Sequence, residues 1–561
     1  MQHDSSRRTF IASILAALAP FPGTTKAATL CLSDPTVLSI ATPLTIDTHA
    51  HFFNGRDLQI KSFLSKTTVG PDSEMYPLVN QMGAILQNLA WHLAPSAQDE
   101  TRAIERYAEL LKNCDGAEQM RKMAMPSFRE GYAVGRRELR AAADVVYKSP
   151  LGASVLGPKV GKVGLGAAIA DLPATYDEFE ERRSDGATVL GSQPTFLGYL
   201  QFVLHNFNHR HVNAIDYLTT YSRQSERKID LVVPSMVDYD WWLAHGKPTP
   251  TSLADQVEVM SKVSILLGGR VHGFAPFCPF REAMTSGSGS MGESLLLVKH
   301  AIETRGFIGV KLYPPMGFAP WGNTGKTVWQ GKATLPSAAA NPDFGGRLDA
   351  AMQSLFQYCI ANDVPIMAHT NHSNGPYEEF KDLAGSKYWT SALQKFKGLR
   401  VSFGHFGDTD LEDHHAERPR EFLKLITSAG GSNGVNTYAD SSYFAGVLGN
   451  QKKIADILQQ LYAASENQVL FERLMYGTDW TMILPQRHVE RYLSDFIDVM
   501  HRIEADQPGI VTRKTTLSNA FFGQNAAQYL GLTAGKPNRQ RLEHFYTANK
   551  VPEPDWMRKL G

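Results

Sequence analysis

Seven short runs rich in apolar and β-branched residues recur along the chain, most of them followed by an amphipathic stretch. That alternation leaves few folds open. The runs are Asp230–Val237 (DLVVPSMV), Val271–Phe277 (VHGFAPF), Phe307–Tyr313 (FIGVKLY), Val364–His369 (VPIMAH), Leu399–His405 (LRVSFGH), Gly434–Tyr438 (GVNTY) and Leu474–Asp479 (LMYGTD). Helical periodicity appears between them in Ser252–Leu267, Ser294–Thr304, Arg347–Asn362, Pro419–Ser428, Lys452–Ser465 and His488–Glu504. The runs start roughly 35–55 residues apart, which suits strand–helix units with parallel strands. Strands covered on both faces read as continuous apolar runs, and these mostly do. An earlier run, Ile46–Phe53, brings the strand count to eight, so the prediction is an α/β fold, a (β/α)8 TIM barrel over residues 44–535.

The first unit is enlarged. About 175 residues separate Phe53 from Asp230, far more than an ordinary connection. Glu100–Lys112, Met125–Tyr147, Tyr176–Arg183 and Gln193–Ser225 read as helices, and Gly152–Gly166 as a loop. Residues 55–228 are therefore expected to form a mostly helical insertion. It leaves the barrel at the C-terminal face, where it acts either as a cap over the site or as an oligomerisation element. A second insertion, Pro314–Gly346, is rich in Pro, Gly and Trp, and a long irregular loop there points to function. Residues 536–561 read as a C-terminal tail.

Ile46–Phe53 carries His49 and His51 around one small residue. Side chains two apart on a strand share a face, so both imidazoles can aim at one point, as two nitrogen ligands of a transition metal do. His369, His405 and Asp479 each close a later predicted strand, and in a parallel barrel those ends converge where the site is built. Singly, each has a plainer reading: a hydrogen-bonded core histidine, or an aspartate capping a helix. Together they supply N and O ligands for a divalent ion with an open position, a catalytic rather than a structural site. A water bound there has its pKa lowered toward ~7, and Asp479 can take its proton and pass it to a leaving group.

Other features exclude alternatives. Lys+Arg and Asp+Glu number 56 each, which suggests no nucleic-acid partner. No uninterrupted apolar stretch of ~20 residues predicts a membrane span. The four cysteines, Cys31, Cys114, Cys278 and Cys359, are scattered and show no C-x-x-C pair, against a disulfide framework or a cysteine zinc site. Ser6-Arg7-Arg8-Thr9-Phe10-Ile11, the apolar stretch to Pro20 and Lys26-Ala27-Ala28 read as a Tat-type signal peptide over residues 1–28. The expected destination is the periplasm or the medium.

The ligand order, with Lys311 on the fourth strand, resembles the amidohydrolase superfamily. Ile46–Phe53, Gly309–Pro314 (GVKLYP), Tyr476–Trp480 (YGTDW) and Phe521–Leu532 (FFGQNAAQYLGL) are similar to its amidohydrolase-related (amidohydrolase 2) branch. The resemblance spans Leu44–Leu532 outside the two insertions. It implies a metal-dependent barrel enzyme, commonly hydrolytic, in a branch that also holds non-oxidative decarboxylases and hydratases. The N-terminal β-sandwich of many superfamily hydrolases is not expected here. By match, His49, His51, His369 and Asp479 would bind the metal, and His405 a second metal or the substrate and attacking water. Zn2+ is the expected ion, one or two per chain, with other divalent transition metals open. Lys311 either carries a carboxyl group bridging two metals or stays an ammonium that binds substrate; a buried lysine serves either role.

Weaker candidates are Arg281 for an anionic substrate, His372 and Asn374 beside the pocket, and Trp480 as a pocket wall. His205, His209, His211 and the pair His414-His415 read as hydrated surface histidines. The leading reading is a hydrolase of a small-molecule amide, ester or lactone, working through metal-activated water with Asp479 as proton shuttle and His405 polarising the carbonyl. A metal-dependent decarboxylase or hydratase of an aromatic or unsaturated acid is the alternative. A non-catalytic metal-binding module would be expected to lack a ligand, and none is missing.

Overall fold

Backbone hydrogen bonding closes a ring of eight parallel strands in the computed structural model. They are β1 (Ile46–Ala50), β2 (Leu231–Pro234), β3 (Phe274–Pro276), β4 (Gly309–Leu312), β5 (Ile366–His369), β6 (Val401–Gly404), β7 (Thr437–Asp440) and β8 (Leu474–Met475). β3 to β8 form one continuous parallel ladder and β1 pairs with β2. Single bridges complete the ring, Val232 to Val271 and Ser235 to Phe274 on one side and Ala50 to Trp480 on the other. The structure describes residues 42–561 apart from 72, 74–75, 112–124, 127–128, 139, 142–171, 179–204, 223–225, 288–289, 409–416, 428–435, 487, 508–510 and 513–514. The signal segment, Cys31, Cys114, the Gly152–Gly166 loop and His414-His415 lie outside these residues. Met125–Tyr147, Tyr176–Arg183 and Gln193–Ser225 are described in part.

The continuous apolar character of the strands has its expected cause. Ile46, Leu231, Val233, Phe274, Met367 and Met475 fill the barrel axis. Their neighbours Val232, Val310, Ile366, Ala368, Val401 and Phe403 pack outward against the helices. Gly309 is required where it stands, because a Cβ there would collide with the ring of Phe274. The covering helices follow the predicted stretches, for example Leu253–Leu266, Phe344–Ala361 and Tyr492–Asp506. Ser252 and Asn450 cap the N-termini of Leu253–Leu266 and Gln451–Ala464 through their side chains.

The enlarged first unit resolves into two parts. Helix Tyr76–Leu93 belongs to an insertion with its own apolar core, which includes Ile60, Leu64, Leu86, Ala90 and Phe207, whereas Ala97–Leu111 packs on the main core through Ile104 and Tyr107. Helix Arg210–Ser222 also packs into the main core, through Ala214, Ile215, Tyr217, Leu218 and Tyr221. It is the covering helix between β1 and β2, so the insertion proper ends before it rather than at residue 228. The guanidinium of Arg210 joins the two parts, reaching Glu100 at 2.8 Å and Asp57 at 3.3 Å, all three buried. One cation cannot balance two buried carboxylates, and burial accordingly raises the pKa of Asp57 to about 7. His209 and His211 are not hydrated surface groups: they are 5% and 3% exposed, their rings 5.4 Å apart, because this segment is covered where insertion and barrel meet. His205 is half-buried, its ring edge-on to Trp480.

The second insertion is ordered by hydrogen bonds rather than by regular structure. Asp349 accepts from the backbone N–H groups of Asn323 and Thr324 and from both side chains, while the Trp329 indole donates to the Gly317 carbonyl at 2.6 Å. Residues 536–561 are no loose tail either. Helices Pro537–Asn549 and Asp555–Leu560 close the floor of the barrel. Trp556 is fully buried and donates to the Gly269 carbonyl, and Lys559 pairs with Asp230 at 2.7 Å. Among the described residues no helix is long and apolar enough to cross a membrane. Trp556→Ala is expected to destabilise the fold by about 3–5 kcal/mol, as for other buried aromatic truncations. Denaturant unfolding of the variant against the parent checks this.

Candidate active site

The site is assembled where β1 meets the segment after β8. Thr48 N–H donates to the Tyr476 carbonyl at 3.1 Å, Asp479 N–H to the His49 carbonyl at 2.7 Å, and His51 N–H to the Trp480 carbonyl at 2.5 Å. A register shift in β1 between Asp47 and Ala50 breaks strict alternation, as a bulge does when it re-aims side chains. Asp47 therefore does not share the face of His49, although it stands two residues before it. It accepts from the Tyr217 hydroxyl at 2.5 Å, the Thr478 hydroxyl at 2.6 Å and the His49 N–H at 3.0 Å. Burial raises its pKa to about 7 against those donors.

Six predicted residues, His49, His51, Lys311, His369, His405 and Asp479, come together in one buried cluster. Only His369 is the last residue of its strand. His405 is the first residue beyond β6, and Asp479 lies four beyond β8. Both have left-handed backbones, φ 63° and 59°, a conformation that costs about 1–3 kcal/mol for a residue with a side chain and is typical of functional sites. Gly404 and Gly477 flank His49, and a Cβ on either would stand 3.1 Å from it. The glycines of the FGH and YGTD runs thus make room for the first-strand histidine.

The hydrogen bonds set the tautomers. His51 Nδ1 lies 2.8 Å from the Ser235 carbonyl, which can only accept, so Nδ1 carries the proton and Nε2 presents a lone pair. His49 Nδ1 lies 3.2 Å from the Asp440 carboxylate, with the same result. Nε2 of His49 and of His51 then face Asp479 Oδ1 at 3.6 and 3.3 Å. These three ligand atoms lie within 4.8 Å of one another. Imidazoles backed by a carboxylate and a carbonyl, beside an anionic oxygen, suit a divalent ion, and the residues fit the metal that their order implied.

A second chain of contacts reaches His369. The Ser442 hydroxyl donates to Asp440 at 2.5 Å, and His405 Nδ1 donates to the Ser442 carbonyl at 3.1 Å. His405 Nε2 is then an acceptor, 3.1 Å from His369 Nδ1. That leaves His369 Nε2 with a lone pair, beside the Ser373 hydroxyl at 3.3 Å. His369 is not among the three mutually close atoms, and it joins the cluster through His405 and through Tyr313, stacked on it at 4.2 Å. His405 presents an acceptor, so this tautomer does not polarise a carbonyl as expected. Asp440 and Ser442 were not singled out from the sequence. The signal was there: β7 runs two residues past the predicted Tyr438 and, like β5, ends on a polar side chain.

The charges follow from burial. It lowers the pKa of His51, and those of His49 and His369 well below the ordinary value, so these rings are neutral at neutral pH. Burial alone would raise Asp479, but the close contact with His51 and the nearby histidines hold it well below the usual carboxylate range. Burial pushes the Lys311 ammonium down to about 8. Its Nζ lies 3.1 Å from His49 Nε2 and 2.9 Å from Met367 Sδ. One lone pair cannot serve an ammonium and a metal together, so loading the site requires Lys311 to move or to lose its charge. Lys311 also lines a small cleft with Asp238, Tyr313 and the apolar Met236, Phe277 and Phe318.

Four weaker candidates stand outside the cluster itself. Arg281 is held by Asp238 at 2.6 Å and Asp240 at 2.9 Å, so its charge is already matched and it is not poised for an anion. His372 stands at the surface, bonded to Asp382 at 3.0 Å, and Asn374, beside Ser373, has a left-handed backbone. Trp480 is fully buried, its ring edge-on to those of Tyr217 and Tyr221.

Residues 284–532 match a family model described as Amidohydrolase. That span holds Lys311, His369, His405, Asp440 and Asp479, and begins after His49 and His51. Solved structures give distant likenesses. A putative 2-pyrone-4,6-dicarboxylic acid hydrolase from Pseudomonas putida is 15% identical, with 56% of this chain and 86% of that chain covered and a TM-score of 0.32. An amidohydrolase from Burkholderia multivorans with bound Zn is 10% identical, with 54% and 83% covered and a TM-score of 0.32. A 5-carboxyvanillate decarboxylase from Sphingomonas paucimobilis is 12% identical, with 54% and 78% covered and a TM-score of 0.31. A comparison with curated proteins finds no match. Asp440→Asn, which disturbs the backing of His49 and the tautomers of His405 and His369, is expected to weaken zinc binding about 10–100-fold. Competition against a chromophoric chelator measures it.

Proposed function

Over residues 284–532 this chain belongs to the amidohydrolase-related branch of the amidohydrolase superfamily, and from that premise we propose a metal-dependent hydrolase of an amide, ester or lactone in a small molecule. The observation that carries the reading is the trio His49 Nε2, His51 Nε2 and Asp479 Oδ1, gathered at the barrel mouth with both histidines oriented from behind. His49, His51 and Asp479 would hold the ion, with His369 completing the set through Nε2; Zn2+ suits these N and O donors. When bound, the ion supplies Lewis acidity and makes water a nucleophile near neutral pH. Asp479, an anion at the mouth, accepts the proton of the attacking water and returns it to the leaving group. The acceptor at His405 Nε2 orients His369 and offers a second resting place for a proton. Lys311, as an ammonium, holds an anionic or carbonyl oxygen of the substrate at one end of the cleft.

That same ammonium, 2% exposed beside an apolar cleft, favours one second reading. An acid whose carboxylate binds there could instead lose carbon dioxide, with Asp479 relaying a proton from water to the carbon that the carboxylate leaves. Chelator treatment of the purified protein is expected to abolish turnover, with zinc restoring it, and Asp479→Asn is expected to lower kcat at least about 100-fold. Activity indifferent to both sinks the metal reading. Labelled water then separates the two chemistries, since hydrolysis places its oxygen in the product and decarboxylation releases carbon dioxide.

The twin-arginine segment supports export of the folded, metal-loaded protein. Replacing Arg7 and Arg8 by Lys is expected to retain the protein in the cytoplasm; cell fractionation that finds it exported unchanged refutes this.

A further inference from the structure

Four aromatic rings run in line from the insertion to the metal site. Phe63, on the short helical segment Phe63–Val69 of the insertion, stacks on Tyr239 at 6.1 Å and 18°. Tyr239, in the loop after β2, meets Tyr313 edge-on at 5.2 Å. Tyr313, immediately after β4, stacks on His369 at 4.2 Å and 19°. Both tyrosines are half-buried, and Tyr313 lines the cleft beside Lys311, whose Nζ lies 5.9 Å from the centre of its ring. The Tyr239 and Tyr313 hydroxyls share a hydrogen bond. With Tyr239 as the donor of that bond, the Tyr313 hydroxyl keeps its own proton for a substrate oxygen. Gln59 and Lys66, on either side of Phe63, fasten this part of the insertion to the loop after β2: Gln59 donates to Asp240 at 2.8 Å, and Lys66 to the Leu243 carbonyl at 2.6 Å.

We propose that Tyr313 binds the substrate through its hydroxyl, and that the insertion sets its position through Phe63 and Tyr239. Tyr313 is the substrate-binding residue; Tyr239 and Phe63 are positioning residues that act only through it. The insertion thereby completes the pocket rather than decorating the barrel. This assignment rests on the metal-dependent reading above, because the bound oxygen lies between Tyr313 and the ion.

The test uses the zinc-loaded full-length protein and acetohydroxamate, small enough for the narrow cleft and with oxygens that suit a metal. Calorimetric titration of Tyr313→Phe is expected to show affinity weakened about tenfold, the loss of one hydrogen bond. Tyr239→Phe is expected to weaken it about threefold, and the double variant to bind no worse than Tyr313→Phe alone, since the two act in series. Phe63→Ala is expected to match Tyr239→Phe, and Phe63→Tyr, which keeps the ring, to bind as the parent does. Unchanged affinity in Tyr313→Phe, at parental zinc content and melting temperature, overturns the proposal. So do fully additive losses in the double variant, or a zinc-loaded parent that does not bind the probe. A parent that takes up no zinc overturns the metal reading and this assignment with it, and the zinc content shows which has failed.

Discussion

The seam between β1 and the segment after β8 is the contact on which the remainder depends. Three backbone hydrogen bonds, Thr48 to Tyr476, Asp479 to His49 and His51 to Trp480, join the first strand to the last segment of the ring. The same bonds bring His49 and His51 within reach of Asp479. Closure and ligand assembly are one event, because the donors and acceptors that would otherwise be buried unpaired belong to the ligands themselves. Asp47 reinforces the seam, holding Thr478 on one side and Tyr217 of the covering helix on the other. The strained backbones of His405 and Asp479 persist because this surrounding network over-determines them.

Around that seam the site is built in two depths. The imidazoles face inward, and behind them stand groups that only orient: the Ser235 carbonyl behind His51, and Asp440 with Ser442 behind His49 and His405. Protonation at each Nδ1 turns Nε2 of His49, His51 and His369 into a lone pair. Burial keeps these rings neutral, which is the form that binds metal. Lys311 is the one cation in this cluster, close enough to His49 to compete with a metal for the same nitrogen. Its charge state therefore bears on metal loading.

Much of this was legible from residue order. Repeated apolar runs identify the strands, since a strand covered on both faces has no polar side, and each of the seven runs overlaps an observed strand. Strand ends were less legible. The ladder stops short of Asp479 and runs on to Asp440, because hydrogen-bond pairing with neighbours, not local composition, decides where a strand ends. The plain histidines misled in the other direction: His209 and His211 read as hydrated, and only the junction of insertion and barrel covers them. Arg281 looked poised for an anion until folding brought Asp238 and Asp240 to it.

By itself the sequence determined the barrel, the enlarged first unit and the six chemistry-bearing residues His49, His51, Lys311, His369, His405 and Asp479. All but Lys311 follow from periodicity and order, which are properties of the chain alone, and Lys311 follows from the family resemblance of that order. Only the tertiary structure decided which nitrogen of each histidine faces the centre, that Asp440 and Ser442 stand behind them, that Trp480 is core, and that the insertion reaches the site through Phe63 and Tyr239. Those outcomes depend on partners that lie tens to hundreds of residues apart in the chain, and a linear pattern holds no record of such distances.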